Sequence, residues 1–279
     1  MPQRAPIAAR IARAGVFASV AAAIAAVLSG GGTARAEGMA HPLDHWPEAE
    51  VFVLGEVHDN PQHHLNQARA IRAIAPRVVV WEMIAPGTAM PERRDDPEVV
   101  ASALGWQGWP DFAMYFPILQ ASGDAVHVGA NVPRPDARRA FTEGAAAVLG
   151  AGAARFGLDL PLPADEQAIR EAEQFTEHCE AMPREMMTGM VEAQRLRDAA
   201  LARAALEAVH DTGGPVVVIT GNGHARTDWG VPALLRRAEP GLRVVALGQF
   251  EGEPEGEIPW DRWIVTPPVE RGDPCLAFR

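Results

Sequence analysis

The chain has 279 residues, 48% hydrophobic and 22% charged, which is enough for one substantial core or a core with a subdomain. Its formal charge is −11, and all 25 basic residues are arginine; setting aside the four in the first 36 residues leaves 21 against 36 acidic residues. So acidic a surface argues against nucleic acid and anionic lipid as partners, since both need positive charge to displace counterions.

Residues 1–36 come first. Arg4, Arg10 and Arg13 form a positive stretch, Val16 to Leu28 an apolar run, and Ala34-Arg35-Ala36 a small-x-small site. This pattern predicts a secretory signal peptide cleaved after Ala36, leaving residues 37–279. A retained anchor is the alternative, but the run is short for a bilayer span. No cysteine follows the run to carry a lipid, so a periplasmic or secreted protein is expected, not a lipoprotein.

Short runs rich in Val and Ile follow at Val51–Leu54, Arg77–Trp81, Ala125–Val128, Pro215–Thr220 and Arg243–Leu247, with a less regular one at Trp263–Val265. They do not alternate with polar residues, which suits strands buried on both faces. Between the first two, Leu65, Ala68, Ile71 and Ile74 recur at helical spacing, with Asn60 as cap and Pro61 at the first helical position. Strand, helix, strand at this spacing predicts an α/β fold with a mainly parallel sheet flanked by helices. From 135 to about 210 no strand pattern occurs. Helices are expected over 165–179 and 184–209, as a helical insertion subdomain. Residues 251–257 read as a loop. Cys179 and Cys275 would enter an oxidising compartment, as a disulfide or as two separate thiols.

The chemistry gathers at strand ends, and in a parallel sheet ligands bind beyond the carboxyl ends of the strands. Glu56 and His58 end the first run, Glu82 follows the second, and His224 follows the fourth. Gly55-x-x-His58 and Gly221-x-x-His224 repeat one spacing, with glycine where the backbone must turn tightly or come close to a ligand. His63 and His64 either stabilise the start of their helix or reach the same crevice. Arg197 and Asp198 are expected in a solvated or interdomain salt bridge.

Several stretches then act together: Leu54-Gly-Glu-Val-His-Asp-Asn-Pro-Gln-His-His64 with Gln67; Trp106 to Tyr115; His178-Cys179 and Gln194-x-x-x-Asp198; Gly221-Asn-Gly-His-Ala-Arg-x-Asp-x-Gly-Val-Pro232; and Arg271-Gly-Asp-Pro-Cys275. Their combination resembles the ChaN family of bacterial haem-binding, iron-uptake-associated proteins. That family is grouped with erythromycin esterases, TraB-like proteins and Tiki metalloproteases. The resemblance implies an α/β core with a helical subdomain and ferric b-type haem, its iron held by a tyrosine phenolate. It also implies haems stacked between two protomers of a homodimer, and outer-membrane or periplasmic uptake components as partners. Tyr115 is the sole tyrosine and the candidate ligand, since a hard phenolate oxygen suits ferric iron. Trp109 and Met114, with Trp106, Phe112 and Phe116, would line the porphyrin slot.

The wider kinship implies a second reading, hydrolysis. Glu56, His58 and His224 would then activate water, with Glu82 as a further ligand or base. A His/His/Glu set at His58, His224 and Glu82 would suit Zn²⁺ or another divalent metal, and a carboxylate beside a histidine serves as general base without one.

Overall fold

The run after Glu50 becomes strand β1 (Val51–Glu56), with all six residues buried. The computed structural model describes residues 41–273 and 275–276; the expected leader, 1–36, lies outside them. Helix α1 (Pro61–Ile74) begins as its sequence suggests: the Asn60 side chain accepts from the Gln62 amide, and Pro61 occupies the first turn. Ala75, with a positive φ of 50°, ends it. Strand β2 (Val78–Trp81) follows, then α2 (Pro97–Leu104), α3 (Phe112–Ala121) and β3 (Val126–Gly129).

Between β3 and the next strand the chain is helical. It carries α4 (Arg134–Glu143), α5 (Ala145–Leu149), α6 (Ala164–Glu177) and the 26-residue α7 (Met187–Thr212). Strand β4 (Val216–Gly221), a 3₁₀ turn at Asn222–Ala225, α8 (Val231–Ala238), β5 (Val244–Phe250) and β6 (Arg262–Val265) complete the order. Helices α2, α3 and α8 go beyond the sequence reading, because each is a short segment of eight to ten residues.

All six strands are parallel in the order β3-β2-β4-β1-β5-β6, so the fold is α/β. Side chains alternate across the sheet and build a core on each face. Val51, Val53, Val216 and Val218 pack against α7 and α8; Phe52, Leu54, Val217 and Ile219 pack against α1 and α3. Both faces of the central strands β2, β4, β1 and β5 are covered, which is why they read as unbroken apolar runs. The edge strands β3 and β6, expected to be buried as well, leave Val126, Trp263 and Val265 exposed, because each has a neighbour on one side only. No helix among the described residues is long and apolar enough to cross a membrane.

Two long-range ties close the far end of the chain. Cys179, just past α6, is disulfide-bonded to Cys275, so the two cysteines are not separate thiols. Arg271 pairs with Asp59 and Glu251 at 2.8 and 2.6 Å, which holds the C-terminal segment beside the end of β1.

Candidate functional site

Strand order decides which strand ends meet. Because β4 lies between β2 and β1, residues after these three strands share one edge. The register pairs Glu56 with Gly221 and Trp81 with Ile219, so Glu56, Glu82 and the Gly221–His224 turn come together.

Their side chains form a line. His58 Nδ1 donates to Glu56 Oε1 at 2.8 Å, and its Nε2 lies 3.9 Å from Glu82 Oε2. His224 is arranged likewise: Nδ1 donates to Asp198 Oδ1 at 2.7 Å, and Nε2 lies 3.5 Å from Glu82 Oε1. Two carboxylate–histidine pairs therefore face a shared central carboxylate. Glu82 is fixed by the Thr220 hydroxyl and the Gly221 amide, which donate to its Oε2 at 2.7 and 2.8 Å. With each Nδ1 committed as a donor, a proton on Nε2 makes the contact with Glu82 attractive.

The electrostatics agree. Burial favours neutral His58, but the Glu56 hydrogen bond and the charges of Glu56 and Glu82 outweigh it and raise its pKa to about 9. Burial likewise opposes the charge on His224, while Glu82 and Asp198 raise its pKa. Glu56 is pushed up by burial, yet the hydrogen bond from His58 and the nearby His64 ring, 3.6 Å away, hold it at about 2. Glu82 is lowered against its own burial by His224 and His58.

Asp198 departs from the sequence reading. It is buried, 2% exposed, as the partner of His224, with Arg170 3.6 Å away, and is no part of a solvated bridge. Arg197 bonds the neutral amide of Gln194 at 3.1 Å. Nothing in the composition of α7 marks Asp198; its place in Gln194-x-x-x-Asp198 is the one signal in the sequence.

Tyr115 also sits differently from the open slot expected around it. The side chain is fully buried, its hydroxyl donates to Glu56 Oε1 at 2.7 Å, and its ring stacks on His64 at 4.0 Å. Burial, followed by the charge of Glu56, raises its pKa and so disfavours phenolate. Trp109 is at the mouth, its ring 4.9 Å from that of His58, which is 30% exposed. Met114 is partly buried beside the α1/α3 core.

The two α1 histidines divide. His63 is structural: Nδ1 accepts from the Val57 amide at 2.8 Å, Nε2 meets the Thr266 hydroxyl at 2.8 Å, and burial lowers its pKa to about 4. His64 reaches the site, with Nε2 3.6 Å from Glu56 Oε2. The metal set expected at His58, Glu82 and His224 does converge. As placed, however, no group of three His, Cys, Asp or Glu side chains among the described residues is disposed to hold a metal ion.

Two hollows open beside this line of side chains, one reaching His224 and Asp198 and the other Glu82. On the His224 side, a cleft of about 630 Å³ is walled by Ile169, Val191, Trp229 and Trp260, with Arg170 and Arg226 at its edge. On the Trp109 side, a hollow of about 280 Å³ is lined by Glu82, Trp109, Asn131, Arg134 and Arg197.

A family model described as "Haem-binding uptake, Tiki superfamily, ChaN" matches residues 43–235, more than half of the chain. Among solved structures, that of cofacial heme binding to ChaN of Campylobacter jejuni is similar, with a TM-score of 0.54 and 19% identity over 75% of this chain and 83% of that one. At that identity the likeness shows the fold. The type III effector HopBA1 gives a TM-score of 0.36 at 11% identity over 72% and 76% of the two chains, too low to carry an argument. No curated protein matches.

Proposed function

Because the chain belongs to the ChaN family of haem-binding uptake proteins of the Tiki superfamily, we propose that it binds haem non-covalently in iron acquisition. The observation that carries the location is the aromatic rim at Trp109, set over the partly exposed His58 ring. A porphyrin needs a broad apolar face, and Trp106, Met114 and Phe116 of the same segment are, like Trp109, only partly buried against the core. Export through the leader at 1–36, a ferric b-type haem, apposition of two such faces in a homodimer and delivery to envelope uptake components belong to the same proposal.

The residues fit haem as a ligand better than they fit tyrosinate ligation. The Tyr115 hydroxyl is a donor to Glu56, and its pKa is raised. It would have to leave Glu56 and lose its proton to meet iron. As placed, Tyr115 is a hydrogen-bond donor to Glu56 and not an iron ligand. Haemin titration of the purified protein, followed by absorbance, tests the reading. Saturable binding that Trp109→Ala weakens supports it; no saturable binding ends it.

One observation favours hydrolysis as a second reading: two carboxylate–histidine pairs facing Glu82, beside a cleft whose size suits a small substrate. In its metal-free form, Glu82 is the carboxylate placed to take a proton from water. The Nε2–H groups of His58 and His224 are donors for the charge that develops on the substrate oxygen. Turnover of p-nitrophenyl esters or a peptide library, abolished in Glu82→Gln, would establish it. Equal rates in that variant would remove it.

A further inference from the structure

The hollow on the Trp109 side carries two positive charges without acidic partners. Arg134 and Arg197 both line it, with the amide of Asn131 beside them. Arg197 donates to the neutral Gln194 side chain, and among the described residues no carboxylate stands within ion-pair distance of either guanidinium. The opposite cleft differs. There Arg170 is paired with Glu166 and Asp198, and Arg226 with Asp228 and Glu173. What sets this hollow apart is that two arginines without an acidic partner line it together, with Glu82 as the single acid among its lining residues.

The one acid in the hollow, Glu82, is already faced by His58 and His224 at 3.9 and 3.5 Å. It does not cancel the arginines as well. The place of Trp109 matters too, since its indole both lines the hollow and lies over His58. Arginine forks match carboxylates, and an aromatic wall beside them takes the attached ring system.

We propose that Arg134 and Arg197 form a carboxylate-binding subsite that orients an aromatic ligand lying on Trp109. The inference rests on the haem reading, in which the carboxylate is a porphyrin propionate. The subsite holds only a carboxyl group, in keeping with its volume of about 280 Å³, and leaves the ring system on the rim.

The experiment titrates the purified protein and its Arg134→Gln/Arg197→Gln variant with haemin, haemin dimethyl ester and 3-phenylpropionate, read by absorbance and tryptophan fluorescence. Circular dichroism checks that the variant folds, and both substitutions keep a hydrogen-bonding side chain. Haemin should bind the variant roughly tenfold or more weakly, the loss expected for charge-assisted contacts. The dimethyl ester should bind the native protein as weakly as haemin binds the variant, and the variant should not distinguish haemin from its ester. Equal haemin affinity in the two proteins, or no penalty for esterification, overturns the subsite while leaving haem binding in place. If haemin does not bind at all, the haem reading fails. The subsite then stands only if phenylpropionate binds saturably and the variant loses that binding, and it falls otherwise.

Discussion

The His58 ring lies against Gly221: a methyl group built on Gly221 would stand 2.9 Å from His58 Nε2. The other motif is locked reciprocally, for a methyl group on Gly55 would stand 2.5 Å from Asn222 Oδ1 and 2.9 Å from the Leu247 carbonyl oxygen. Gly221 has an ordinary φ of −63°, so clearance for the neighbouring motif, not backbone freedom, demands glycine there. The two G-x-x-H sequences are halves of one packing arrangement across β1 and β4.

Gly221→Ala should therefore push His58 off Glu82. Overpacking of this kind costs about 1–3 kcal/mol. Urea denaturation measures the cost, and the His58 imidazole resonances report the displacement. Unchanged stability together with unchanged resonances would show that the ring has room to spare.

Stability should depend on pH in opposite senses for the raised and the lowered histidines. His58 rises from 6.5 to about 9, so its contribution is complete below 6.5 and is lost as the pH climbs through 9; the raised His224 acts in the same direction. His63 and His127 are lowered by burial to about 4, so stability is lost as the pH falls from 6.5 and their rings must charge. Glu56, lowered from 4.5 to about 2, adds a further loss below 4.5. Unfolding free energy should peak near pH 6.5, and His58→Gln should flatten the alkaline side. An alkaline side unaltered in that variant would refute the assignment.

Tyr115→Phe removes a hydrogen bond to a buried carboxylate and should cost about 1–3 kcal/mol. Glu56 keeps His58, so folding should survive. Haemin binding at the Trp109 rim should survive as well. If instead the variant loses both binding and a tyrosinate-type absorption band, Tyr115 belongs at the iron and must move there on binding.

Asp198→Ala should be the harsher change. It strips the partner from buried His224 and an acid from Arg170, and removal of one member of a buried ionic group costs about 3–5 kcal/mol. A loss below about 1 kcal/mol would mean that water or Glu82 compensates.

Cys179→Ser should release the C-terminal segment from the end of α6. Disulfides contribute about 2–4 kcal/mol, more for long loops, and this one spans a sequence separation of 96. Thiol titration of the unfolded, unreduced protein should find no free thiol. Two free thiols would show that the bond does not form.

The sequence by itself determined the strands, because runs such as Val51–Leu54 and Pro215–Thr220 have the apolar continuity that only two-sided burial tolerates. It determined α1, whose cap and spacing are local, and it determined that Glu56, Glu82 and His224 stand at strand ends. The tertiary structure decided the rest. That β4 lies between β2 and β1 is a long-range pairing with no local signature, yet it brings His58 and His224 to the two sides of Glu82. Asp198, 26 residues from His224 and on a helix of mixed polarity, becomes its partner only when α7 packs on that edge. Tyr115 reads as a candidate iron ligand in sequence and is a buried hydrogen-bond donor in space, because its surroundings are supplied by Glu56, His64 and Trp106 from elsewhere in the chain. Residue type and period are local properties, whereas burial and charge partners arise when distant segments meet.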